Sequence, residues 1–228
     1  MGRGNIVMGL KVRRRELLAR SPLGPMILER YPYAFTPRQL HVLVSALDDV
    51  EGVDGVCVEV GCWQGATTVF LQRHLDDVGT VRPYHCIDTF GGFVPADIDV
   101  ERTRGKASVY DDFDYNSKRL FELTLDANGV RANTTVHQAD AAAFDYASLP
   151  PVAFALIDVD LYRPMSAALA GVWGRLQPGG VIVVDDCDPT KDKWDGAAAA
   201  YQELCKEHGL TPEVREHKLG ILRRPLGG

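Results

Sequence analysis

From Val53 onward, short unbroken apolar runs alternate with longer stretches of helical period. Phe154-Ala155-Leu156-Ile157 and Val181-Ile182-Val183-Val184 contain no polar residue. A strand with one face in water alternates polar and apolar positions, whereas a strand covered on both faces does not. The runs predict strands over Gly55–Val60, Tyr84–Asp88, Thr134–His137, Ala153–Asp158 and Val181–Asp185. The periodic stretches predict helices over 66–77, 116–128, 162–176 and 194–208. Thr36 as N-cap and Pro37 at the first helical position open an earlier helix that runs to about Leu47. This alternation predicts an α/β fold, a doubly wound, mostly parallel sheet with helices on both faces. Thr211–His217 and Lys218–Arg224 read as two strands joined by a tight turn, an antiparallel edge to the sheet.

Two regions break the pattern. Residues 1–35 carry a basic cluster, Lys11, Arg13, Arg14 and Arg15, and then Pro22, Pro25, Tyr31, Pro32, Tyr33 and Phe35. They read as an arm or lid, leaving residues 36–228 as a single domain. Residues 91–115 hold Gly91, Gly92, Pro95 and many acids with little periodicity, which marks an insertion after a strand end. The 228 residues, 46% hydrophobic, suffice for one sizeable core. A net charge of −6 argues against a nucleic-acid substrate. The five cysteines form no C-x-x-C pair, and their odd number suits a reducing, cytoplasmic compartment. No apolar run reaches the length of a membrane span, so no membrane partner is expected.

The junction Val58-Glu59-Val60-Gly61-Cys62-Trp63-Gln64-Gly65 carries the first chemical signal. It is a strand, a glycine turn and a helix start. Gly61 and Gly65 allow a ligand close to the backbone. Trp63 stands where the dinucleotide fingerprint needs its middle glycine, and Glu59 would repel a phosphate. The turn therefore suits S-adenosylmethionine better than NAD, although a tight turn without a ligand has the same outline.

Acids recur where apolar strands end: Glu59, Asp88, Asp140, Asp158 and the pair Asp185-Asp186. Ligands of open α/β sheets bind outside those ends. Asp88 is placed to accept hydrogen bonds from ribose hydroxyls, and Asp140 from an adenine amino group. Each could equally cap the turn or helix that follows. Asp158-Val159-Asp160 and Asp185-Asp186 would put four carboxylates side by side, and their repulsion calls for a divalent cation. All-oxygen ligands select hard ions, Mg²⁺ or Mn²⁺. No histidine spacing supports zinc, and no G-x-S-x-G elbow supports a hydrolase.

With Val58–Gly65, Ile87-Asp88-Thr89-Phe90-Gly91-Gly92-Phe93, Ile157-Asp158-Val159-Asp160-Leu161-Tyr162 and Leu176–Asp186 in view, the chain resembles the class I S-adenosylmethionine-dependent methyltransferases. Within them it is similar to the macrocin O-methyltransferase (TylF-like) group of metal-dependent sugar O-methyltransferases. The resemblance implies a seven-stranded sheet, a metal site and a homodimer. Asp158, Asp185 and Asp186 match the metal carboxylates, and Asp160 a nearby active-site carboxylate. Glu59, Gly61, Gly65, Asp88 and Asp140 match cofactor contacts, with Trp63, Thr89 and Ala141 beside them completing the expected cofactor set. Where family members often carry Val-Trp-Arg-Gly, this chain has Cys62-Trp63-Gln64-Gly65, so Glu59 lacks an arginine partner.

The resulting expectation is methyl transfer to a hydroxyl of a sugar or glycosylated small molecule, with Asp158 or Asp160 taking the proton. Phe93, Tyr162 and the Tyr31–Phe35 segment are expected to wall the acceptor site. A catechol or other vicinal diol is the alternative acceptor. A non-catalytic binding protein on the same fold is the alternative from a different class.

Overall fold

The computed structural model describes residues 17–18, 20–21, 31–106, 113, 115–188, 190 and 194–227. Most of the arm expected over 1–35, and residues 107–112 and 114 of the insertion, lie outside the described residues. The chain divides into two units at Ala34/Phe35. In the first, the rings of Tyr31 and Tyr33 meet edge to face at 5.4 Å.

The second unit carries the α/β pattern. Its elements are α1 (Pro37–Asp48), β1 (Val56–Val60), α2 (Ala66–Asp77), β2 (Tyr84–Asp88), α3 (Pro95–Thr103), α4 (Lys118–Asn128), β3 (Thr134–Gln138), a 3-10 turn (Tyr146–Ser148), β4 (Val152–Ile157), α5 (Tyr162–Trp173), β5 (Leu176–Val184), α6 (Asp195–Glu207), β6 (Glu213–Arg215) and β7 (Leu219–Arg223). Thr36 caps α1 as its sequence predicts: its hydroxyl accepts from Gln39 N, and the Gln39 side chain accepts from Thr36 N.

Seven strands form one sheet in the order β3-β2-β1-β4-β5-β7-β6. The first five are parallel, and β7 runs antiparallel to both β5 and β6. β1 and β4 are both buried along their whole length, which explains the unbroken apolar sequence of β4; in β1 the burial includes Glu59. The order reverses between β1 and β4, the switch point at which such sheets bind ligands. Backbone pairing continues one residue past the strands: Ala139 N on Asp88 O, Gly61 N on Ile87 O, Asp158 N on Val60 O and Asp185 N on Ile157 O, all at 2.8–2.9 Å. The strand ends are thereby drawn into one rim.

α3 is the element that periodicity did not reveal. It lies inside the insertion, and its buried residues are Asp97 and Glu101. A helix whose covered face is acidic gives no apolar stripe to read. β5 starts at Leu176, earlier than predicted, because Gly179 (φ 81°) carries the chain through Pro178-Gly179-Gly180 into the long apolar run. None of the helices among the described residues is long and apolar enough to cross a membrane.

Candidate active site

Left-handed backbone gathers at the rim. Trp63 (φ 40°), Phe90 (φ 55°), Asp160 (φ 58°) and Asp186 (φ 57°) follow β1, β2, β4 and β5 in turn. Such conformations cost roughly 1–3 kcal/mol each outside glycine and cluster at functional sites. Gly61 and Gly65 share the conformation, both at φ 86°. A Cβ on Gly61 would lie 1.8 Å from the Asp158 carbonyl oxygen, so a glycine here lets the β1 and β4 ends meet. A Cβ on Gly65 would press on the Phe121 ring at 3.0 Å.

Asp88 governs the glycine turn. Its Oδ2 accepts from Cys62 N (2.7 Å) and Trp63 N (2.8 Å), and its Oδ1 from Phe90 N (2.6 Å). A carboxylate has about four lone-pair sites. Three are committed to backbone, so the residue expected on ribose is first a clamp between the β1 and β2 turns. Thr89 pins the next loop, its hydroxyl donating to Gly92 O at 2.7 Å. Trp63 O accepts from Asn116 at 2.6 Å, and its ring meets Phe113 and Tyr115 edge-on. Asp140 Oδ1 accepts from Ala142 N at 2.8 Å, and its Oδ2 lies 3.8 Å from Arg163. The Ala141 side chain is buried in the core, and its carbonyl accepts from the Tyr146 hydroxyl.

Glu59 requires a correction. It was expected to face the cofactor, but it is 1% exposed and enclosed beneath the turn. Its Oε2 accepts from the Tyr84 hydroxyl at 2.8 Å. Burial pushes its carboxyl up to about 7, against the lowering effect of that hydrogen bond.

The acids after β4 and β5 form a second cluster. Carboxylate oxygens of Asp158, Asp160 and Asp186 lie within 4.8 Å of one another. Asp185, expected with Asp158 and Asp186, stands beside this set and is 2% exposed. Its Oδ2 meets Lys218 Nζ at 2.8 Å, while its Oδ1 is buried with no hydrogen-bond partner among the described residues. Lys218 also lies 3.4 Å from Asp186. Burial, then the neighbouring carboxylates, pushes Asp158 and Asp160 well above the usual carboxylate range. The same causes raise Asp185 to about 6. Burial alone would depress Lys218, but Asp185, Asp186 and Asp158 hold it above its ordinary value.

Sequence reasoning missed Lys218, Asp97, Glu101 and Arg163. For Lys218 the signal lay in the topology. The antiparallel register pairs Val184 with Gly220, and two further steps bring Lys218 across from Asp186. Of the expected aromatic wall, Phe93 contacts Phe113 (5.5 Å) and Trp194 (5.9 Å). The Tyr162 hydroxyl donates to Glu203, and its ring lies under Arg104. Phe35 is buried, with Lys218 Nζ 5.2 Å from its ring centre. All five cysteines are free and buried.

Comparison with known proteins agrees with this architecture. A relative from Streptomyces olivaceus, 8-demethyl-8-(2,3-dimethoxy-alpha-L-rhamnosyl)-tetracenomycin-C 4'-O-methyltransferase, is 25% identical over 178 residues. The match covers 73% of this chain and 64% of that protein, so the chain spans less than two thirds of the relative's length. Among solved structures, CalS11, a calicheamicin methyltransferase also described as a TDP-rhamnose 3'-O-methyltransferase, superposes with a TM-score of 0.65 at 20% identity. That superposition covers 92% of this chain and 90% of CalS11. The O-methyltransferase NovP superposes with a TM-score of 0.68 at 17% identity, over 82% of this chain and 80% of NovP. At these identities the likeness establishes the fold. The family described as methyltransferase domain matches residues 58–187, from the strand that leads into the glycine turn to the residue after Asp186. With more than half of its sequence inside that match, the chain belongs to the methyltransferase-domain family.

Proposed function

We propose that this protein transfers the methyl group of S-adenosylmethionine to a hydroxyl of a sugar or glycosylated small molecule, with a divalent cation held by Asp158, Asp185 and Asp186. The observation that carries the reading is the unbalanced acid cluster. Among the described residues, Lys218 is the cation paired with the four carboxylates, through Asp185 and Asp186, and a buried Asp185 oxygen has no partner. An orphaned buried carboxylate oxygen is costly, and an all-oxygen donor set fits Mg²⁺ or Mn²⁺. When bound, the cation supplies the positive charge that makes a nearby hydroxyl more acidic.

The chain's own residues do the rest. The turn clamped by Asp88 offers a cofactor site at the switch point, with Asp140 at the end of the next strand. Asp160, held in left-handed backbone within reach of Asp158 and Asp186, receives the acceptor proton. As the acceptor oxygen bonds to the methyl carbon, the carbon–sulfur bond breaks and leaves S-adenosylhomocysteine. Placing both reactants in line converts an encounter into an intramolecular step.

Support for a sugar acceptor comes from the rhamnosyl substrate in the name of the tetracenomycin relative. A second reading, an aromatic vicinal diol, is favoured by the rings of Trp63, Phe113, Phe93 and Trp194, which follow one another at 5.5–5.9 Å. A homodimer and a cytoplasmic location, suited to five free thiols, complete the proposal. The test is an acceptor screen over glycosides and catechols, with Mg²⁺ and with EDTA. Metal-dependent turnover of a glycoside supports the proposal. Turnover of catechols alone moves the assignment to the second reading.

A further inference from the structure

The insertion helix α3 buries charge where most helices bury apolar surface. Asp97 is 3% exposed and Glu101 1%, and their spacing of four residues puts them on one face. Neither takes part in the chemistry above. A buried carboxylate is tolerated only with its oxygens satisfied, so its partners are informative. Glu101 Oε1 accepts from Tyr162 N at 2.7 Å, and Oε2 from Arg104 Nη1 at 2.9 Å. The Arg104 guanidinium in turn covers the Tyr162 ring at 4.6 Å.

Tyr162 is the first residue of α5, and the N-cap residue Leu161 makes no side-chain cap. The first N–H groups of a helix have no partner inside it and favour negative charge. Glu101, 61 residues upstream, supplies that cap. α6 closes the junction from a third side. A Cβ on Gly196 would stand 2.5 Å from Tyr162 N and 2.8 Å from Glu101 Oε1.

Two residues before Tyr162 stands Asp160 at φ 58°. An aspartate keeps that conformation where its surroundings over-determine it. On the strand side, Asp158 N is held by Val60 O at 2.8 Å, and Leu161 N closes the turn on Val159 O at 2.6 Å. On the helix side, the anchor is Tyr162 N on Glu101. We propose that Glu101 is a positioning residue for Asp160, pinning the far end of the turn that aims the Asp160 carboxylate into the acid cluster. This inference rests on Asp160 as the proton acceptor in the proposed methyl transfer. Asp97 makes the companion link. It pairs with Arg163, whose guanidinium also lies 3.8 Å from Asp140, so α3 holds both halves of the rim through consecutive residues of α5.

The test compares Glu101→Ala with Glu101→Gln, since Gln keeps an oxygen for Tyr162 N. Three quantities are read: kcat, the calorimetric affinity for S-adenosylhomocysteine, and hydrogen exchange of the Tyr162 amide by NMR. Glu101→Ala is expected to lower kcat roughly ten- to a hundredfold, the scale of a misplaced reacting group. Its S-adenosylhomocysteine affinity should stay near the wild-type value while the Tyr162 amide loses protection. Glu101→Gln should recover most of the rate and the protection. A wild-type kcat in Glu101→Ala overturns the inference. So does an equal loss of rate and S-adenosylhomocysteine affinity, or a Gln variant as slow as the Ala variant. If Glu101→Ala does not fold, Glu101→Asp, which withdraws the oxygen but keeps the charge, takes its place. A wild-type protein inactive on every sugar defeats the proposed function instead. The exchange data then decide alone, and unchanged Tyr162 protection overturns the inference.

Discussion

The two halves of the rim treat their carboxylates in opposite ways. After β2, Asp88 is satisfied by three backbone N–H groups from two turns. After β4 and β5, Asp158, Asp160, Asp185 and Asp186 crowd together, and among the described residues Lys218 is the cation paired with them. The first half is finished by the chain itself, and its geometry is set before any ligand arrives. Among the described residues, the second half is short of positive charge. One divalent ion added to Lys218 would leave it with a single net negative charge, which a cationic sulfonium offsets. The difference teaches that hydrogen bonds to backbone can complete a site for one acid, whereas the proposed function assigns the four crowded acids a divalent counter-ion.

The strongest way to break the comparison is to break the joint between the halves. Gly61→Ala would drive a Cβ into the Asp158 carbonyl at a backbone angle that alanine avoids. The expected outcome is a stability loss of several kcal/mol, on the scale of severe overpacking plus strain. Cofactor binding and turnover should fall together. Denaturant unfolding and calorimetry with S-adenosylhomocysteine check this, and native values in both would show that the close approach is unnecessary.

The next variants separate the halves. Asp185→Asn and Asp158→Asn should each lower turnover by roughly two to three orders of magnitude, the size of losing a preorganised electrostatic group. S-adenosylhomocysteine affinity should stay close to the wild-type value. Parallel loss of that affinity would mean that the two halves are one unit. Asp88→Ala is the converse. It strands three N–H groups, and each charge-assisted bond is worth about 1.5–3 kcal/mol. S-adenosylhomocysteine should bind at least about tenfold more weakly, with Mg²⁺ affinity preserved.

The sequence displayed one half of this contrast better than the other. Of the five parallel strands, β4 and the end of β5 were the most legible, because burial on both faces leaves Phe154–Ile157 and Val181–Val184 without a polar residue. Asp88, Asp158 and Asp185 were legible because each stands directly at the end of an apolar run. Lys218 was not, because its approach to Asp185 depends on the antiparallel register of a strand some thirty residues later. Asp97 and Glu101 escaped because acids in an aperiodic insertion read as solvated, whereas here they are the helix's buried face. Glu59 was visible but misplaced. Its position at the β1 end suggested the ligand, while its side chain bonds to Tyr84 beneath the turn.

Glu59 gives the smallest and most selective effect. Burial holds its carboxyl at about 7, above its ordinary value of 4.5. A folded-state pKa above the unfolded one adds stability that is complete below about 4.5 and is lost as pH rises through 7. Glu59→Gln keeps an acceptor for Tyr84 and removes the ionisation. Its Tm should exceed that of the wild type at about pH 8 and approach it at about pH 5. A Tm difference that is the same at both pH values would contradict the assignment of burial as the cause.

The central claim is that the acid half is completed by a cation. Calorimetric titration of Mg²⁺ into EDTA-stripped protein, wild type beside Asp185→Asn, tests it without any acceptor. The account predicts one Mg²⁺ site in the wild type and its loss or severe weakening in the variant. No Mg²⁺ binding by the wild type, or equal binding by both proteins, would contradict it.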